Sequence, residues 1–237
     1  ERKPFFAFYQ KLRGDGMTFD NALRSTFQSV LMSSPFRYLD STAHEDKAMA
    51  DHAVASRLSF MLVGSPPDAE LLELAASGKL RRPEVLKAQA DRLLSDPRLG
   101  ERWARHWLDV VRFAESYGFE HDLDNPNAFH FRDFVIRAFN DNLPYDDFLT
   151  WQLAGDLLPA AGEHQLLATA FHRQTLTNTE GGTDKEQWRI EAVFDCVDTT
   201  GTVWLGLTVG CAKCHSHKYD AIPQREYYQL FAVYNNG

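Results

Sequence analysis

Apolar residues recur at three- and four-residue intervals along most of the chain, the spacing that lines one face of a helix. Phe19, Leu23, Phe27 and the Val30-Leu31 pair predict a helix over 19–32 that stops at Ser33-Ser34-Pro35. Val54, Leu58 and Met61-Leu62 predict another over 49–63, ended by Gly64-Ser65-Pro66-Pro67. Asp68 reads as the N-cap of a helix over 69–76, and Pro83 suits the first turn of one that runs to Leu94. The pattern is broadest over 99–116, where Trp103, His106, Trp107, Val110, Phe113 and Ala114 share a face and predict the longest helix. Helices over 127–142, 145–153 and 164–173 follow. Then come a polar loop from Gln174 to Asp184, a helix over 185–203 and a last one from Gln224.

Only Val203 to Val209 is β-branched enough for a strand, and it suits the buried end of a helix equally well. The expected class is therefore mainly α, a bundle-like single unit over 1–237 with a C-terminal segment for c-type haem attachment, argued below. The Pro and Gly punctuation at 64–67 and 78–83 reads as interhelical turns. If a sub-boundary exists it lies near 78–98, between an N-terminal helical module over 1–95 and a module over 96–237.

Composition narrows this picture. The chain of 237 residues has 33 acidic and 25 basic side chains, a net charge of −8, which argues against nucleic-acid binding by bulk electrostatics. Its 44% hydrophobic content supports a packed core rather than disorder. The most apolar run, Val203 to Ala212, is about half the length a membrane helix needs, so no transmembrane segment is expected. No signal-peptide pattern opens the sequence, as expected if a leader was removed or if the chain is a domain excised from a longer protein.

The three cysteines are too few, and odd in number, for a disulfide framework. Two of them form Cys211-Ala212-Lys213-Cys214-His215, a C-x-x-C-H string that a shuffled chain would contain with a chance on the order of one in a thousand. Two thiols so spaced can attach a haem through thioethers, Cys211 and Cys214 being the attachments and His215 the proximal iron ligand. Other readings stay open. A zinc site would use Cys211, Cys214, His215 and His217, without the usual second ligand pair elsewhere; a plain disulfide is the third reading; a thioredoxin-like pair lacks its βαβ context. Cys196, left over, is expected to be buried and unreactive.

A six-coordinate haem needs a distal ligand. The candidates are His44, His52, His106, His121, His130, His164, His172 and His217, and the methionines at 17, 32, 49 and 61. His106 leads because it shares its helix face with Trp103, Val110 and Phe113, although a core histidine bonded to backbone carbonyls explains it as well. His217 is too near His215 to reach the other side of the same iron. Glu191, Asp195 and Asp198 fall at i, i+4 and i+7 on one helix face and are candidates for calcium, for a basic partner, or for an ion-pair network with Arg189 and Lys218. The loop Asn178 to Asp184 also offers oxygen ligands, without EF-hand spacing. Seventeen phenylalanines and five tryptophans at helical spacing read as core before they read as a haem pocket or sugar cleft.

Several segments together resemble a known family: RLGERWARHWLD over 98–109, LAGDLLP over 153–159, VDTTG over 197–201 and GLTVGCAKCHSHKYD over 206–220. They are similar to the planctomycete secreted cytochrome-c-like proteins, specifically to a domain of unknown function that accompanies a conventional cytochrome c domain. The front half, with SSPFRYL over 33–39, ASRLSFML over 55–62 and PPDAELL over 66–72, looks like a related helical domain of multi-module planctomycete proteins. The resemblance implies export, a periplasmic, cell-surface or secreted location, other domains in a larger chain and association with redox chemistry, without implying a known reaction. Ser216 stands where family members usually carry Asp between the two histidines. The resulting expectation is an exported c-type haem domain that carries electrons to a redox partner, which the −8 charge suggests is basic. The alternatives are a haem enzyme, peroxidase-like or carbohydrate-oxidising, and a haem-free scaffolding module.

Overall fold

The computed structural model describes residues 2–38, 47–118, 121–178 and 180–235. They are mainly helical: twelve α-helices and three short 3-10 turns, with no strand among the described residues. None of these helices is long and apolar enough to cross a membrane. The chain divides into two compact units, Glu1–Leu94 and Ser95–Gly237.

The first unit contains α1 (Arg2–Gly14), α2 (Phe19–Met32), α3 (Ser34–Arg37), α4 (Lys47–Leu62), α5 (Ala69–Ala76) and α6 (Pro83–Leu94). Local chemistry fixes several of the boundaries. Thr18 caps α2 by accepting from the Asn21 N–H, and Asp68 caps α5 by accepting from the Leu71 N–H at 3.0 Å. Arg92 then grips the Asp68 carboxylate from α6 at 2.8 and 3.2 Å, so one aspartate both starts a helix and ties two together. The core of this unit includes Ala55, Leu62, Leu71, Ala75, Leu80 and Leu93. Two helices depart from the sequence pattern: α1 was not foreseen, and the chain resumes as α3 at Ser34, where Ser33-Ser34-Pro35 reads only as a stop.

The second unit contains α7 (Arg98–Val110), α8 (Phe129–Asn140), α9 (Tyr145–Ala154), α10 (Glu163–Ala168), α11 (Lys185–Leu205) and α12 (Gln224–Tyr234), with 3-10 turns over Gly155–Leu157, Thr169–Arg173 and Val209–Lys213. Helices α7 and α8 approach closely because residue 100 is glycine: a Cβ there would strike the carbonyl oxygen of Ile136. The Gly100 N–H also donates to Asn140 Oδ1 at 2.8 Å. Behind this contact lies an aromatic cluster. Trp107 meets Phe148 and Trp204 with ring centroids 5.0 and 4.8 Å apart, and Phe171 meets Trp204 at 5.6 Å. The one indole N–H that enters from α7, on Trp107, donates to the buried Gln152 at 2.9 Å.

Two expectations need correcting, and one ambiguity resolves. The longest helix is α11, 21 residues, rather than the 99–116 segment; α7 ends at Val110 because Arg112 adopts left-handed backbone, φ 62°. The core face of α7 is not the one expected. Gly100, Ala104 and Val111 are buried with Trp107 half-buried beside them, while Trp103, His106 and Val110 are exposed. The buried stripe through Gly100, Ala104, Trp107 and Val111 is rotated about the helix axis from the expected one, with Trp107 on the border of both. The ambiguous 203–209 segment is helix to Leu205 and then turn: Gly206 takes φ 65°, and the Leu207 N–H reaches back to the Gly201 carbonyl at 3.0 Å.

Candidate functional site

The C-x-x-C-H string occupies the 3-10 turn Val209–Lys213 and the two residues after it, between α11 and α12. In a 3-10 turn, side chains at i and i+3 eclipse. Val209 and Ala212, one such pair, are buried against Val197 of α11 and Tyr227 of α12. Cys211, within the turn, and Cys214, the residue that ends it, are exposed free thiols. The motif thus buries its apolar residues and leaves both sulfurs exposed.

Two glycines let the turn lie this close to α11. A Cβ on Gly201 would come 2.5 Å from Val209 Cγ2, and a Cβ on Gly210 would come 3.1 Å from Asp198 Oδ2. The turn is also held from α12: the Lys213 carbonyl accepts from Tyr228 Oη at 3.0 Å and from Gln224 Nε2 at 3.2 Å.

Both histidines engage Nδ1, in opposite roles. His215 is exposed, with Nδ1 2.8 Å from the Ser216 carbonyl oxygen. A carbonyl oxygen can only accept, so Nδ1 carries the proton and Nε2 keeps a free lone pair. His217 is turned inward, and its Nδ1 accepts from the Asp220 N–H at 2.8 Å. The Asp220 carboxylate also lies 3.2 Å from that nitrogen. Cys211, Cys214, His215 and His217 do not gather into a set able to hold a metal ion, and no such set occurs among the described residues.

The residues fit a covalently held haem in their donor chemistry: two exposed, unpaired thiols and an imidazole whose Nδ1–H is fixed by a carbonyl, leaving Nε2 as the donor atom.

The carboxylates of α11 are each engaged by a different partner. Glu191 accepts from Lys213 Nζ at 3.0 Å, and that ammonium also lies 3.8 Å from the centroid of the Phe194 ring. Asp195 takes both terminal nitrogens of Arg112 at 2.8 Å, and Arg112 also donates to Thr199 Oγ1 at 2.6 Å. The bond to Asp195 holds the Arg112 guanidinium above its ordinary pKa. Asp198 accepts from Tyr227 Oη at 3.0 Å. Burial raises the Asp198 carboxyl above the usual range, with the tyrosine bond opposing, and burial next to Asp198 raises Tyr227. The expected partners Arg189 and Lys218 are elsewhere: Arg189 pairs with Glu186 and Asn235, and Lys218 lies over the Tyr219 ring.

The distal candidates are dispersed. His106 is exposed, with Nε2 3.0 Å from Arg102, so the lone pair on that nitrogen is already accepting. His121 and His130 are exposed, the latter against Phe129. His164 faces Arg137, His52 is half-buried on α4, and His44 lies outside the described residues. Met17 accepts weakly from Ser25, while Met32, Met49 and Met61 are exposed. His172 is the unusual one. Both its ring nitrogens are buried without a partner between the rings of Phe171 and Tyr234, and burial lowers its pKa to about 4. Cys196 is half-buried, and burial pushes its thiol up to about 11, which leaves it protonated and unreactive at neutral pH. Of the loop 178–184, Thr179 lies outside the described residues.

Sequence reasoning missed the part played by Arg112 and Tyr227. Arg112 breaks α7 where glycine is usual and clamps α11; its only sequence signal was an arginine at the end of an apolar helix.

A family model described as a protein of unknown function, PSCyt2 (DUF1549), matches residues 37–237. No curated protein and no solved structure matches the chain.

Proposed function

The chain belongs to the PSCyt2 family, whose description assigns no activity, and we propose from its own residues that it is an exported c-type haem domain that carries electrons within a larger secreted assembly. The observation that supports this most is the motif's division of labour: both sulfurs exposed, Nε2 of His215 unengaged, and buried Val209 and Ala212 anchoring the turn. Cys211 and Cys214 hold the haem as thioethers and His215 is its proximal ligand. When bound, the haem supplies one-electron redox chemistry. The protein's part is to fix the turn from α11 and α12 and to orient His215 through the Ser216 carbonyl. The charge of −8 favours a basic redox partner met at a salt-sensitive rate.

One observation favours a second reading, a haem enzyme. Nε2 of His106, the leading distal candidate, accepts from Arg102 and so offers no lone pair as a ligand, and a haem held by His215 alone would be accessible to a small oxidant. The absorption spectrum separates the two when the chain is made in a host with cytochrome c maturation. A low-spin spectrum indifferent to cyanide supports electron transfer; a high-spin spectrum that shifts with cyanide or peroxide supports catalysis. A chain that binds no haem sinks both.

A further inference from the structure

Beyond the motif, the second unit has a cleft of about 280 Å³ between the loop after α7 and the segment after the Thr169–Arg173 turn. In a chain of net charge −8, the charged ones among the described residues that line this cleft are two arginines, Arg112 and Arg173. We infer that it is a binding site for a small hydroxylated carboxylate.

The two arginines are prepared differently. Arg112 is held in place: its terminal nitrogens are taken by Asp195 and Thr199, while no bond occupies its Nε–H. Asp195 neutralises it, so the uncompensated charge of the cleft is that of Arg173. Arg173 has no hydrogen bond or ion pair among the described residues, so its planar donor fork is available for a carboxylate. Around this charge the wall is mixed: Ser116 and Thr175 supply hydroxyls, Asn125 and Gln174 carboxamides, and Ala114, Tyr117 and Leu176 apolar surface. Such a lining suits a ligand that carries hydroxyl groups beside its acid. The volume lies just below the usual range of small-molecule sites, roughly 300 to 1,000 Å³, which limits the ligand to a single small molecule.

The walls are also pinned. Thr177 N–H donates to the Tyr117 carbonyl at 3.2 Å, and Tyr117 N–H to the Leu123 carbonyl at 2.9 Å. Two lining residues, Arg112 and Gly118, sit at φ 62° and 67°, and the arginine holds a left-handed position that glycine usually fills. Backbone cost is thus accepted in order to place that guanidinium here.

The test is isothermal titration of the full chain, with or without haem, using glucuronate, glucose and inorganic sulfate as probes. Glucuronate is expected to bind, sulfate to compete with it, and glucose at the same concentration not to bind. Arg173→Gln is expected to weaken glucuronate at least about tenfold with an unchanged circular dichroism spectrum, since a charge-assisted bond is lost. Arg137→Gln, on α8 outside this cleft, leaves the affinity as it was. Equal binding of glucose and glucuronate, an unchanged affinity in Arg173→Gln, or no binding of glucuronate overturns the assignment. None of these outcomes depends on whether the C-x-x-C-H string carries haem.

Discussion

The aromatic cluster and the layer that carries the cysteines share one helix, α11, yet they are built differently. Toward its C-terminal end α11 gives Trp204 to a cluster that also draws on Trp107, Phe131, Phe134, Phe148 and Phe171. A turn or two earlier it gives Val197 to a much smaller group, Val209, Ala212 and Tyr227, on the other side of which the thiols and His215 face outward. Bulk makes the first region rigid. The second reaches its close packing through glycines at 201 and 210 and through hydrogen bonds from Tyr227, Tyr228 and Gln224. A site meant to present reactive groups needs a thin, well-fixed backing, and a large core behind α11 allows the backing to be thin.

The largest effect expected from breaking this arrangement is in the aromatic cluster. Phe171→Ala removes a ring that is 1% exposed, and about 3–5 kcal/mol of stability should go with it, read as a fall in the urea midpoint. Because α11 spans both regions, the cysteine turn should loosen in the same transition.

Next is acid. The pKa of His172 is lowered by burial to about 4, below its unfolded value near 6.5. Between those values the unfolded chain binds the proton and the folded chain does not, so stability falls as pH drops from about 6.5 toward 4, by at most about 3 kcal/mol. Urea midpoints at pH 7 and pH 4.5 measure the slope, and His172→Phe should flatten it.

A smaller effect, confined to the cysteine layer, is expected of Gly201→Ala. The new methyl meets Val209, and about 1–3 kcal/mol of overpacking should follow; adding Val209→Ala to the same chain should recover part of it. If Gly201→Ala is neutral by thermal denaturation, the close seating of the turn on α11 is wrong. The smallest change is Tyr227→Phe, which removes one hydrogen bond to Asp198 and should cost about 1 kcal/mol, seen as a small shift of the same denaturation curve.

Helix positions were largely legible in the sequence because each rests on local chemistry. Asp68 caps α5 as its side chain predicts, α2 spans the expected 19–32, α6 starts at Pro83, and the 174–184 stretch is non-helical wherever it is described. Faces and ends set by distant partners were not legible. Nothing near Arg112 announces that it will leave the helix to clamp Asp195, 83 residues away. The outward placement of His106 likewise follows from the packing of α7 on α8 through Gly100, a contact that helical periodicity alone does not show. In the motif, the sequence supplied the spacing of Cys211, Cys214 and His215. It did not supply the eclipsed turn or the carbonyl that fixes the His215 tautomer.

The central claim is that the outward edge of this turn is an attachment point for haem. It is tested most directly by the intact mass of the denatured chain made with and without the cytochrome c maturation system. The account expects the mass of one haem to be added with the system, none without it, and none in the Cys211→Ser, Cys214→Ser double variant. An unmodified mass in the maturing host, or a haem that stays bound in the double variant, would contradict it.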